Sequence, residues 1–202
     1  SGVSYKWILG VLAVLFPLGV VFVYMLQYEM IPFLRGYQAT RILAWINPKE
    51  YSDAYWQQEN SIMAIGSGQL WGKGLNNTEI ASVKNGNFLS EEQTDFIFAI
   101  IGEEMGFVGA MIVIALFLLL VYECLMMAYR AKDLSGRLIC TGMATLLAFQ
   151  SFANIAVATA IFPNTGLPLP FVSYGVSSLL SLYIGIGVVL NVGLQRRYSN
   201  EW

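Results

Sequence analysis

The 202-residue chain contains no histidine. That absence removes Ser-His-Asp and Cys-His nucleophile pairs and the commonest transition-metal ligand, so any acid-base chemistry falls to carboxylates, lysine or tyrosine. Charge is scarce too: Asp, Glu, Lys and Arg make up 12% of the residues, where a soluble domain carries about 25%. The net charge of −2 and basic residues scattered without aromatic interleaving argue against nucleic acid or another polyanion as partner. Cysteine occurs only at Cys124 and Cys140. They flank a short basic loop assigned below to the cytoplasm, where thiols stay reduced, so both read as packing residues and no disulfide is expected.

What the chain does have is apolar length. It is 56% hydrophobic with mean hydropathy +0.59, the composition of an integral membrane protein. The expected fold is all-α, a multi-spanning helical bundle in one membrane domain over residues 1–202. About four spans are expected, near 7–26, 96–122, 138–162 and 176–194, the first bent at Pro17. The chain opens Ser1-Gly2 without an initiator Met, and its first apolar run is too long for a signal peptide, so it reads as part of a longer protein.

Residues 27–95 form a long polar segment, amphipathic at first, with a turn near 48–53 and a short, partly buried helix expected near 60–70. Gly66, Gly68, Gly72 and Gly74 form a loop carrying Lys73. The spacing is not that of a Walker A motif, because Gly follows Lys73; amides lining an anion are one reading and plain flexibility the plainer one. Lys6, then Arg130, Lys132 and Arg137, then Arg196 and Arg197 fall on one side, assigned to the cytoplasm. The long segment, Asp95 and the proline-rich loop at 163–175 then lie outside.

Residues 90–106 place five carboxylates, Glu91, Glu92, Asp95, Glu103 and Glu104, at the mouth of an apolar run, where ionisable groups are costly and usually functional. A helix starting near Asp95, with Thr94 or Asp95 as its cap, puts Gly102, Gly106 and Ala110 on the Asp95 face for close approach of another helix. Asp95 has two readings, helix cap or functional carboxylate. Glu103 and Glu104 read as structural groups, one of them needing a partner this chain does not supply. Gln150 and Asn154, with Ala158, form a stripe expected to bond neighbouring helices, and Ser177, Ser181 and Gly185 a second close-packing face. The stretch 163–175 is too rich in proline for a helix and too apolar for an exposed loop, so it is expected to re-enter toward a site.

The segments Gly72-Lys73-Gly74-Leu75, Gln93-Thr94-Asp95-Phe96-Ile97-Phe98-Ala99, Gly102-Glu103-Glu104-Met105-Gly106 and Pro163-Asn164-Thr165-Gly166-Leu167-Pro168-Leu169-Pro170-Phe171-Val172-Ser173-Tyr174-Gly175 together resemble the shape, elongation, division and sporulation (SEDS) family of bacterial membrane proteins, the RodA and FtsW group. The likeness covers the family's C-terminal part. It implies a peptidoglycan glycosyltransferase that polymerises lipid II at the outer face of the cytoplasmic membrane with a class B penicillin-binding protein. It also implies that Asp95 is the essential carboxylate. Gln93 stands where many members have His, and Val176 where a Gly is common. Glycosyl transfer from a lipid diphosphate needs a base for the acceptor hydroxyl and a cation for the leaving group. Asp95 fits the first role; Arg41 and Lys73 are candidates for the second, with a divalent cation as a further one. Thr94, Gln93, Asn164 and Ser173 are further candidates to meet substrate, though hydrogen bonds within the loop account equally for Asn164 and Ser173. One candidate base and no second nucleophile imply inversion at the anomeric carbon, and the chain by itself is expected to be inactive. The rival readings are a transporter of the lipid-linked precursor, and a non-catalytic scaffold for a cell-wall synthase.

Overall fold

The computed structural model describes residues 5–27, 37–75 and 94–195. Among these the protein is all-helical: α1 (Tyr5–Gln27), α2 (Tyr37–Ile46), α3 (Ser52–Ser67), α4 (Ile97–Arg130), α5 (Leu134–Ala158) and α6 (Val176–Gln195). Three of them, α4, α5 and α6, are long and apolar enough to cross a membrane, which takes about 20 residues. α4 continues well past its expected end near Tyr122, and α3 starts at Ser52, where the expected turn is cut short by a helix whose first turn carries Asp53, a favourable place for an anion.

Contacts divide the chain into two compact units, Ser1–Trp56 and Gln57–Trp202. In the first, α1 packs on α2, and α1 runs through Pro17 without ending there.

In the second unit α4 packs chiefly on α5, and α6 touches both. Towards one end the three helices meet through Cys124, Ala128, Cys140, Ala144, Leu147, Leu182 and Val189. Most of these are small, which lets helices approach when apolar burial in lipid supplies no drive of its own. Both cysteines are free and buried in that contact. The packing face of α6 is Leu182, Gly185 and Val189 rather than the expected Ser177, Ser181 and Gly185. A Cβ on Gly185 would stand 2.7 Å from Met143 Sδ, whereas both serines are exposed and the Ser181 hydroxyl donates to the Ser177 carbonyl at 2.8 Å. The Ser181 hydroxyl is thus satisfied without a neighbouring helix.

At the opposite end α3 closes the C-terminus of α5. Gln58, Ser61, Ala64 and Gly68 recur at helical spacing and are all buried. Gln58 Nε2 donates to the carbonyls of Val157 (3.1 Å) and Phe162 (2.8 Å), and Ser61 Oγ to that of Ala158 (2.7 Å). The last carbonyls of a helix have no partners within it, so these side chains supply what the helix cannot. The chain then turns through Ala160, at φ 55°, with Ile161 N bonded to Ala156 O (2.8 Å) and Ala160 N to Val157 O (3.0 Å). That pattern usually takes glycine at the left-handed position. It redirects the chain into the proline-rich segment, which lies over the start of α4.

Candidate active site

Residues 94–96 form a turn, and α4 begins at Ile97 with Phe96 at the N-cap position and no side-chain capping bond from it. The expectation that Thr94 or Asp95 occupies the cap is therefore corrected. Packing fixes the helix start instead: Phe96 is fully buried against Ala64, Ala99 and Val157, and a buried aromatic outweighs a cap worth about 1 kcal/mol. The carbonyls of Thr94 and Asp95 precede the helix and are held from outside it. Ser173 Oγ donates to Thr94 O at 2.5 Å, and Asn154 Nδ2 to Asp95 O at 2.8 Å. Asp95 itself is half-buried.

The same side chains hold the proline-rich loop. Asn154 Nδ2 also donates to Leu167 O at 2.8 Å, Gln150 Nε2 to Pro168 O at 3.1 Å, and Ser173 Oγ accepts from Leu169 N at 2.7 Å. The polar stripe of α5 thus bonds a loop and a turn, not the neighbouring helices expected of it. Prolines donate no N–H, so carbonyls in such a segment need donors from elsewhere. Leu169 and Pro170, within the loop, are buried. Asn164, 8% exposed, accepts from Gly166 N at 3.2 Å and reaches Gln57 Oε1 at 3.4 Å. Two buried polar atoms, Ser151 Oγ and Asn154 Oδ1, have no hydrogen-bond partner among the described residues.

A second irregularity lies further along α4. Gly106, at φ 67° and ψ −167°, interrupts the helix, in a region of backbone space open essentially to glycine alone. In an unbroken helix Phe107 N and Val108 N would bond the carbonyls of Glu103 and Glu104. Here they donate to Gln69 O (2.8 Å) and Leu70 O (3.2 Å), while Glu103 O and Glu104 O accept from Lys73 N (2.9 Å) and Gly74 N (3.0 Å). Four groups freed by the break find four partners in residues 69–74. Irregular backbone within an apolar span survives only when its polar groups are paired in this way.

The glycine-rich loop is therefore a built part of the fold, which corrects its reading as plain flexibility. A Cβ on Gly68 would strike the Gly102 carbonyl, and one on Gly72 the Glu104 carbonyl. The face of Gly102 and Gly106 meets this loop and Ile65 rather than another spanning helix, with Ile65 Cγ1 3.0 Å from where a Gly102 Cβ would stand. An apolar cleft of about 380 Å³, lined in part by Gln69, Gly106, Ala110 and Ile155, continues that face. Gly106→Ala is expected to cost about 2 kcal/mol, from the strained φ and from contact with Leu70 O at 2.7 Å; the unfolding midpoint in detergent reads it.

Glu103 is 1% exposed, and its Oε1 lies 2.8 Å from Lys73 Nζ. This carboxylate finds a cation inside the chain, against the expectation of a partner in absent helices. Glu104 is half-buried beside it. Of the other candidates, Arg41 lies on α2 in the first unit and Gln93 lies outside the described residues. Asp95, Thr94, Gln150, Asn154, Asn164 and Ser173 all belong to the turn, the proline-rich loop or the helix face beneath them. Among the described residues no group of three or more Cys, Asp or Glu could hold a metal ion. Gln58, Ser61 and Phe96 were not foreseen as organising residues; the recurrence of Gln58, Ser61 and Ala64 at helical spacing was the available signal.

The chain matches the FtsW/RodA/SpoVE cell cycle protein family over residues 1–198. It is 36% identical over 198 residues to the probable peptidoglycan glycosyltransferase FtsW of Geobacter sp. (strain M18), covering 98% of this chain and 50% of that one. It is 39% identical over 163 residues to the stage V sporulation protein E of Bacillus subtilis (strain 168), covering 80% and 43%. Among solved structures it resembles a chain of a peptidoglycan synthase complex that coordinates polymerization and crosslinking, with TM-score 0.65, 30% identity, and 92% and 48% coverage. A mutant of the rod shape determining protein RodA of Thermus thermophilus is similar at TM-score 0.51 and 30% identity, with 78% and 49% coverage. The chain spans about half the length of the curated relatives it matches. With nearly its whole length inside the family match, the protein is a helical membrane protein belonging to the FtsW/RodA/SpoVE family.

Proposed function

We propose that the chain is the C-terminal part of an inverting peptidoglycan glycosyltransferase that polymerises lipid II, with Asp95 as its general base. The carboxylate takes the proton of an acceptor sugar hydroxyl as that oxygen bonds to the anomeric carbon of the donor. The bond from that carbon to the polyprenyl diphosphate breaks with its electron pair on the leaving oxygen, and the anomeric centre inverts. Lys73 or, alternatively, Arg41 is the cation proposed for the departing diphosphate, and Gln93, Thr94 and Asn164 are proposed as further residues that meet substrate.

The observation that carries this reading is the held turn at Thr94 and Asp95. A half-buried carboxylate on a backbone fixed by two buried side chains suits a group that must meet its substrate in one geometry. Asp95 precedes α4 and Arg130 ends it, so the basic residues 130–137 lie at the far end of that helix, consistent with a carboxylate facing outward from the cytoplasmic membrane. A penicillin-binding protein is the partner proposed, in line with the synthase complex that the chain resembles.

A broken helix also suits a transporter, in which freed backbone groups coordinate ions. Here the four groups freed at Gly106 are already bonded to residues 69–74, which removes that reading's best support. Reconstitution of the intact protein and its partner in vesicles with lipid II decides between them. Glycan polymer is the expected product. Precursor crossing the bilayer without polymer would establish the transporter, and neither activity would leave the scaffold.

A further inference from the structure

We infer that Asn154 and Ser173 are positioning residues that set where the Asp95 carboxylate stands. The inference rests on the reading of Asp95 as the base, and adds to the bonds that hold its turn the bonds by which the same two side chains hold the proline-rich loop. Ser173 and Asn154 are 3% and 1% exposed, and each serves the turn and the loop at once. The Ser173 hydroxyl gives its hydrogen to Thr94 O and a lone pair to Leu169 N. The Asn154 amide gives one hydrogen to Asp95 O and the other to Leu167 O.

Two facing carbonyls require the NH₂ end of the amide there, so the orientation of Asn154 follows from its neighbours. Two successive carbonyls of the turn are thus clamped by side chains from different elements, α5 and the loop. With both held, the position of the Asp95 backbone, and with it the point from which the carboxylate projects, is set by these two side chains. Neither clamp bonds the carboxylate itself. Their effect on chemistry passes through the main chain, which distinguishes them from groups that touch substrate. Ser173, a candidate substrate contact by sequence, is reassigned on this basis: it is 3% exposed, and its hydrogen and one of its two lone pairs are taken inside the protein.

Displacement of a reacting group by about 1 Å costs on the order of 100-fold in rate. In the intact protein with its partner, Ser173→Ala and Asn154→Leu, the latter keeping shape while removing both donors, should each lower kcat by about 10- to 100-fold. KM for lipid II should stay within about threefold, because neither side chain touches substrate and ground-state binding is left in place. Ser173→Thr, which keeps a hydroxyl, should recover most of the rate. All rates are referred to the folded fraction, measured by unfolding in detergent.

Parental kcat in either variant overturns the inference, as does a rate loss that vanishes on correction for folded protein. So does a KM rise matching the kcat loss, which would mark substrate contacts, or failure of Ser173→Thr to recover rate. Asp95→Asn run alongside separates the two levels of the argument. If it polymerises normally, the base assignment fails and the inference with it; if it is inactive while Ser173→Ala is normal, only the inference fails.

Discussion

Asp95→Asn should lower glycan synthesis by a factor of about 10² to 10⁴, the usual contribution of a general base, while the protein folds and assembles as before. The fold should be indifferent because the turn is held through its carbonyls: Ser173 and Asn154 bond the main chain of residues 94 and 95, and an amide at position 95 leaves both bonds in place. The substitution also discriminates sharply against the alternative role. Asn and Asp are equally good at a helix cap, so a capping Asp95 predicts no loss at all. Asp95→Glu keeps a carboxylate but moves it by one methylene, and should lose about 100-fold while remaining detectable. Initial rates of polymer formation from lipid II at saturating substrate measure all three proteins. An Asn variant within threefold of the parent would remove Asp95 from the chemistry.

The sequence disclosed elements better than it disclosed what joins them. Apolar length alone marked the regions of α4, α5 and α6, and three prolines between 163 and 170 marked a stretch without helix. Gln150 and Asn154 stood out because a spaced pair of amides is unusual in an apolar helix. Their partners were not legible, since the donors answer to carbonyls of residues 95, 167 and 168, and every residue has a carbonyl. The same limit hid the break at Gly106. Four-residue spacing of Gly102, Gly106 and Ala110 fits a continuous helix face as well as it fits the observed kink. Only the meeting of residues 69–74 with Glu103 to Val108 distinguishes them, and that meeting joins segments far apart in sequence. Phe96 was passed over because an aromatic in an apolar run carries no positional signal of its own.

Lys73→Met should destabilise the protein by about 3 kcal/mol, near the lower end of the cost of breaking a buried ion pair. The lower end applies because the two members differ in burial: the Lys73 side chain is 23% exposed and that of Glu103 is 2% exposed. Most of the cost arises from the carboxylate, which stays in a dry site after its ammonium has gone. The double variant Lys73→Met with Glu103→Gln removes the stranded charge and should return to within about 1 kcal/mol of the parent. Unfolding in detergent reads both, and a single-variant loss under 1 kcal/mol would show that the pair does not clamp the loop to α4. The backbone bonds from Lys73 N and Gly74 N to Glu103 O and Glu104 O need neither side chain, so the loop should keep its place in the double variant. That makes the double variant a clean probe of the other role proposed for Lys73. If its stability returns and polymer synthesis returns with it, the Lys73 ammonium serves the loop alone. If stability returns while synthesis stays low, the ammonium is needed for the departing diphosphate, and the ion pair with Glu103 is the resting place from which it is drawn.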